Sequence, residues 1–249
     1  MSIKTVVIVQ ARMGSTRLPG KVLNPLEGIP LLEHVCRRIQ SSKLSDLLVI
    51  ATSIDPNNDP IDKLCDSLGI ECFRGSEEDV LGRFYCAAVN HKPEYVVRIT
   101  ADCPLVDPEI IDHAINLISN GGYDYVSNTE PPTYPDGYDV EVFKFEALKK
   151  AHHGAEHKYQ REHVTSYITE NQALFKCHSF AAPEDLSHMR LTVDTSEDFE
   201  VIKLIYSSLY SKNHLFSYEE VVQFLKKNPQ ILELNSHFER NEGYDTTDT

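Results

Sequence analysis

Residues 10–21 read QARMGSTRLPGK, a stretch with three cations (Arg12, Arg17 and Lys21), no acid, two glycines and the neutral side chains of Gln10, Ser15 and Thr16. Arginine presents planar, bidentate forks to phosphate oxygens and lysine a point charge, so such a loop can hold a compact polyanion by its side chains. It is not a Walker loop, which needs G-x-x-x-x-G-K followed by a hydroxyl residue. Here five residues separate Gly14 from Gly20, Pro19 removes a backbone donor, and Val22 stands where the hydroxyl belongs. The dinucleotide pattern G-x-G-x-x-G is absent as well. What remains is capture of a triphosphate by side chains, or a solvated basic turn.

Charge distribution favours the first. The chain of 249 residues has a net charge of −14, yet its first 40 residues hold six Lys and Arg against two Glu. An acidic chain lacks the cation excess that nucleic-acid backbones require. A basic island within it suits a nucleoside triphosphate better than a long polymer.

Carboxylates come next. Asp102 in TADCP follows an apolar run directly, and Asp194 closes RLTVDT. Either could cap a helix. Asp107, before Pro108, already supplies a cap and a proline at the first helical position, which leaves Asp102 for other work. For Asp194 the residues alone leave the two readings level, since Thr195 or Ser196 can cap without it. Asp139 and Glu141 share one face of YDVEVF by the period of two, after Gly137, which permits close approach; solvated carboxylates on an edge strand are the alternative. RGSEEDVLGR offers Arg74, Ser76, Asp79 and Arg83, although Ser76 and Asp79 also have capping-box spacing. His153, Glu156 and His157 spell H-x-x-E-H, the order of inverted zinc proteases. Gly154 weakens the required helix and no third ligand is evident, so an exposed histidine-rich helix end is the better reading.

The elements that must position these residues alternate. Apolar, β-branched runs stand at 5–9, 47–51, 70–73, 95–99 and 123–127, separated by segments with helical spacing. Strands alternating with helices imply βαβ units and a mostly parallel sheet covered on both faces, with ligands at the carboxyl ends of the strands. Later, 138–143 and 190–195 read as strands. FEALKKAHH, QREHVTSYITEN, 196–210 and 217–228 read as helices. A single domain over 1–235 is expected, followed by a loose acidic tail, 236–249. The six cysteines form no C-x-x-C pair, so buried free thiols are expected. No apolar stretch is long enough for a membrane span and the N-terminus lacks a secretory pattern, so the expected location is the cytoplasm.

VIVQARMGSTRLPGKVL resembles the N-terminal signature of the cytidylyltransferases that activate acidic sugars, the CMP-Kdo and CMP-sialate synthetase superfamily, and most of all its SpsF-like branch of spore-coat polysaccharide biosynthesis. The likeness continues through RGSEEDVLGRF, RITADCPLVDP, YPDGYDVEVF, REHVTSYI and RLTVDTSEDFEVI, in order across roughly residues 3–210. It implies a Rossmann-like, GT-A-like nucleotidyltransferase fold with a small β/helical insertion at about 129–185 that forms an acceptor and dimer region. It implies a homodimer, and transfer of CMP from CTP to a sugar, acidic by analogy, with Mg²⁺ and release of pyrophosphate. Arg12, Lys21 and Asp102 are the implied catalytic residues, and Asp102 and Asp194 the implied metal ligands. CTP is assigned to Gln10, Ala11, Arg12, Ser15, Arg17 and Lys21, together with Ala51, Thr52, Arg74, Ser76, Asp79 and Thr100. The acceptor is assigned to Gly137, Asp139, Glu141, Arg161, Glu162 and His163. No sugar-carboxylate clamp can be matched. Another nucleotide, a non-sugar acceptor, or a silent nucleotide-binding regulator are the competing readings.

Overall fold

Val6 to Val9 are all fully buried, which a strand achieves only inside a sheet covered on both faces. In the computed structural model, which describes residues 4–240, this strand, β1 (Thr5–Gln10), lies at the middle of the parallel part of a seven-stranded sheet. The other strands of that sheet are β4 (Leu47–Ser53), β5 (Glu71–Gly75), β6 (Tyr95–Thr100), β7 (Tyr125–Ser127), β8 (Glu141–Lys144) and β9 (Cys177–Ser179); β2 (Pro25–Leu26) and β3 (Ile29–Pro30) form a separate small hairpin. The sheet runs β5-β4-β1-β6-β8-β7-β9. β5, β4, β1 and β6 are parallel, while β8 is antiparallel to both of its neighbours. A mostly parallel, helix-flanked sheet is therefore what the alternating pattern produced.

Alternation along β1 divides the core. Val7 and Val9 face one hydrophobic cluster with α1 (Leu31–Ile39), α2 (Asp59–Leu68) and α4 (Pro108–Gly121), to which α8 (Ser196–Leu209) and α9 (Tyr218–Lys227) also contribute. Val6 and Ile8 face a second cluster with α3 (Val80–Val89), α5 (Phe145–Gly154) and the short α7 (Ser166–Glu170). α4 starts with Asp107 accepting from the Glu109 N–H at 2.8 Å, Pro108 in the first turn, and a left-handed Gly122 at its end. None of the helices among the described residues is long and apolar enough to cross a membrane.

Two expected elements differ. Residues 190–195 form no strand, only an isolated bridge between Asp136 and Arg190. The stretch divides its backbone bonds between two segments, Leu191 N–H donating to Asp136 O and Val193 N–H to Asp102 O, so no ladder can propagate. QREHVTSYITEN is broken into α6 (Lys158–Glu162) and α7 by Val164, whose φ of 58° is left-handed and costly for a β-branched residue. The region 129–185 contributes β8 and β9 to the central sheet itself. Residues 236–240, expected to begin a loose tail, make specific contacts: Arg190 donates to Glu239 O and lies over the Phe238 ring, and Arg240 pairs with Asp139. The rest of that tail, 241–249, lies outside the described residues. All six cysteines are free; Cys36, Cys65 and Cys103 are buried as expected, but Cys86 is exposed and Cys72 and Cys177 are half-buried.

Candidate active site

The register brings Gln10 beside both Ala51 and Thr100, so the carboxyl ends of β1, β4 and β6 stop together. Two adjoining cavities open at this edge, of about 360 and 480 Å³, within the usual size of small-molecule sites. Arg98, Thr100, Asp102, His163 and Asp194 border both.

The first cavity collects Gln10, Ala11, Arg12, Ser15, Arg17 and Lys21 from the loop after β1. The loop holds itself: Gly20 N–H donates to Met13 O, Leu18 N–H to Ser15 Oγ, and Met13 N–H to Asn58 Oδ1. Gly20, with φ of 72°, turns the chain into a short 3₁₀ turn at Lys21–Leu23 that directs the lysine inward. Lys21 Nζ donates to Asp102 Oδ2 at 2.8 Å, to Asp194 Oδ1 at 2.9 Å and to Val193 O at 2.7 Å. Burial alone would lower the lysine pKa, but the two carboxylates outweigh it and hold it above its ordinary value. Asp102 is the reciprocal case: burial pushes its carboxyl up, yet Lys21 brings it down to about 2. Asp194 also meets Arg17 at 3.2 Å and Arg190 at 2.9 Å.

Asp194 is not the cap of α8. Thr195 Oγ1 accepts from Asp198 N–H, and Asp198 Oδ2 accepts from the N–H groups of Asp194 and Thr195. Asp102 is likewise released from capping, because Asp107 caps α4.

The second cavity is lined by Asp136, Asp139 and Glu141, with Arg98, Arg190 and Arg240. Arg98 stands opposite Glu141 in the β6–β8 pairing and forms an ion pair with it, while its Nε donates to Gln10 Oε1 at 3.2 Å. Glu141 Oε1 accepts from Tyr125 at 2.7 Å and from Thr165, just past the helix interruption at Val164, at 2.6 Å. Burial would raise the Glu141 pKa; these three donors hold it below the ordinary value. Gly137 has φ of 103°, and a Cβ there would lie 2.5 Å from Leu191 O, so only glycine lets 136–139 pack against 190–193. Gly137 thus shapes the wall without lining it. Arg190 binds Asp136, Asp194 and Asp198 together.

Several assigned residues fall outside the cavities. Ala51 and Thr52 are fully buried in β4. Arg74 is turned away, held by Ser53 O, Asp55 O, Asp59 and Asp62. Ser76 Oγ accepts from Asp79 N–H and Asp79 caps α3 at Gly82, so the capping alternative describes both. Arg161 is occupied by Asp79 and His152 O, and packs α6 against α3 instead of reaching the cavity. Glu162 and His163 do reach it. The H-x-x-E-H stretch is split: α5 ends at Gly154, and His157 is the N-cap of α6.

The residues missed are Arg98, Asp136, Arg190 and Arg240. Arg98 had a signal, a lone cation inside the apolar run YVVRI. Arg190 pairs with Asp136 across 54 positions and Arg240 with Asp139 across 101, which no local pattern displays. Arg83, noted earlier, lines the first cavity, and its buried Nε has no hydrogen-bond partner among the described residues.

A family profile described as Cytidylyltransferase matches residues 6–242. The spore coat polysaccharide biosynthesis protein SpsF of Bacillus subtilis is 39% identical over 234 residues, covering 89% of this chain and 94% of its own length. A 3-deoxy-manno-octulosonate cytidylyltransferase of Anaeromyxobacter dehalogenans is 36% identical over 118 residues, 46% of this chain and 47% of that protein. The solved structure of a cytidylyltransferase from Leptospira borgpetersenii superposes with a TM-score of 0.89 at 33% identity, covering 96% of this chain and all of that one.

Proposed function

The chain belongs to the cytidylyltransferase family, in its SpsF-like branch, and on that premise we propose that it transfers CMP from CTP to a sugar hydroxyl with release of pyrophosphate. The observation that carries this reading is the meeting of Asp102 and Asp194 on Lys21, at the border of a cation-lined cavity and a carboxylate-lined one.

In this reading the first cavity receives the triphosphate. Arg12 and Arg17, with side chains 59% and 37% exposed, reach the outer phosphates, while buried Lys21 sits at the α-phosphate. The acceptor occupies the second cavity, and its hydroxyl attacks the α-phosphorus as the bond to pyrophosphate breaks. Positioning and charge neutralisation are the main tasks for the protein in such a displacement.

The residues fit a magnesium ion. Among the described residues no three His, Cys, Asp or Glu side chains form a metal cage, and Mg²⁺ commonly takes one or two carboxylates plus substrate phosphates. Asp102 and Asp194, both partly exposed, would hold it, and when bound it supplies charge neutralisation on the reacting phosphates.

An acidic sugar, the class suggested by analogy, faces a condition here. The three guanidinium groups lining the second cavity each hold a carboxylate of the chain, so an acidic acceptor binds by exchange with one of these pairs. The test is pyrophosphate release with CTP, UTP, ATP or GTP, Mg²⁺ and a sugar panel spanning 3-deoxy-manno-octulosonate, neutral hexoses and amino sugars. Release that requires CTP and one sugar together is expected. CTP binding without release across the panel would favour a regulator, and equal use of all four nucleotides would remove cytidine specificity.

A further inference from the structure

Resting on that reading, we propose that Asp139 is the general base that takes the proton of the acceptor hydroxyl, and that Arg240 sets the pH range in which it can do so. As the acceptor oxygen forms its bond to the α-phosphorus and the bond to pyrophosphate breaks, the hydroxyl proton must leave, and a positioned side chain that accepts it accelerates the step about 10²–10⁴-fold.

The carboxylates bordering the second cavity are not equivalent. Asp102 and Asp194 are engaged by Lys21. Glu141 has one oxygen on Arg98 and the other shared by Tyr125 and Thr165. Asp136 is tied to Arg190 at 3.2 Å. Glu130 is exposed at the rim. Asp139 differs: one oxygen pairs with Arg240, and the second has no hydrogen-bond partner among the described residues, although its side chain is only 31% exposed and borders the cavity. A carboxylate oxygen left open beside an acceptor-sized space is placed to receive a hydroxyl.

Its surroundings adjust its basicity. Burial, with Asp136 and Glu141 pushing the same way and Arg240 opposing them, raises the Asp139 pKa to about 7. Asp102, Arg190 and His163 border the same cavity, and the Cys103 thiol feels the Asp139 charge. A base that titrates near neutrality is available at working pH and still has driving force to accept a proton.

The experiment measures kcat and kcat/KM for the acceptor from pH 5.5 to 9, with CTP, Mg²⁺ and whichever panel sugar the parent enzyme uses. Asp139→Asn should lower kcat about 100-fold or more, remove the acidic limb of the profile, and leave CTP affinity within about threefold. Asp139→Ala should recover activity on addition of formate. Arg240→Ala, which removes the charge favouring the ionised carboxylate, should move the acidic limb to higher pH and approach parent activity by pH 9. Near-parent kcat in Asp139→Asn, with the variant still folded, would overturn the assignment. So would an acidic limb that survives in Asp139→Asn and disappears in His163→Gln. A parent enzyme that binds CTP but releases no pyrophosphate with any panel sugar defeats the underlying transfer reading instead, and with it this proposal.

Discussion

The two cavities at the sheet edge use similar side chains to opposite ends. In the first, Arg12 meets Glu77 only at 3.9 Å and Arg17 touches Asp194 at 3.2 Å, both from a loop without acids of its own. In the second, Arg98, Arg190 and Arg240 are each closed onto Asp or Glu, with side chains 17%, 6% and 16% exposed. Ion pairs of exposed cations such as Arg12 contribute little to folding. Buried arginines bound to carboxylates fix the shape of a wall. The exposed Arg12 and half-exposed Arg17 of the first cavity stand beside buried Lys21, whereas the guanidinium groups of the second are closed onto carboxylates of the chain itself.

Substitutions can break this contrast. Arg190→Met should have the largest effect on stability, about 3–5 kcal/mol in denaturant unfolding, because it strands Asp136 and Asp198 in a buried site. An equal loss for Arg12→Met would erase the difference between the cavities. Next, Lys21→Ala and Arg17→Ala should each weaken CTP binding by about 1.5–3 kcal/mol in calorimetry while hardly affecting cytidine. Equal losses for both ligands would make the loop a shaping element.

A smaller effect lies in the pH dependence. Asp139 is raised to about 7 in the folded chain, above an ordinary carboxyl value of 3.8, so the native state holds a proton that the unfolded chain has lost between those values. Stability from this group is present below about pH 4 and declines as pH rises towards 7. Asp139→Asn should therefore melt higher than the parent at pH 8, with a narrower gap at pH 5; a constant gap would mean the carboxyl is not perturbed. Smallest of all, Arg74→Ala should change CTP affinity by less than about 0.5 kcal/mol, since Arg74 faces Asp59 and Asp62 and not the cavity.

How far these features were legible in the sequence follows the range of the interactions. The parallel half of the sheet could be read because β1, β4 and β6 are continuous Val/Ile-rich runs, and the edge rule then pointed to the loops carrying Arg12 to Lys21 and Asp102. Asp79 and Ser76 were ambiguous for a real reason: capping spacing is local, and here the local use prevailed. RLTVDT looked like a strand because its residues suit one, but its hydrogen bonds go to Asp136 and Asp102. The networks around Arg190 and Arg240 join segments far apart in the chain, and residue spacing carries no record of such pairings.

The central claim is that Asp102 and Asp194 converge to serve the reacting phosphates and not the fold. It is tested most directly by CTP-dependent pyrophosphate release across a Mg²⁺ titration for the parent, Asp102→Asn and Asp194→Asn, with thermal melts alongside. Neither aspartate caps a helix, so both variants should remain folded, while turnover falls by about 100-fold or more because an amide neither ligates Mg²⁺ well nor offsets the cations around it. Parent-like turnover of Asp194→Asn at every Mg²⁺ concentration would contradict the claim and reduce Asp194 to a partner of Lys21, Arg17 and Arg190.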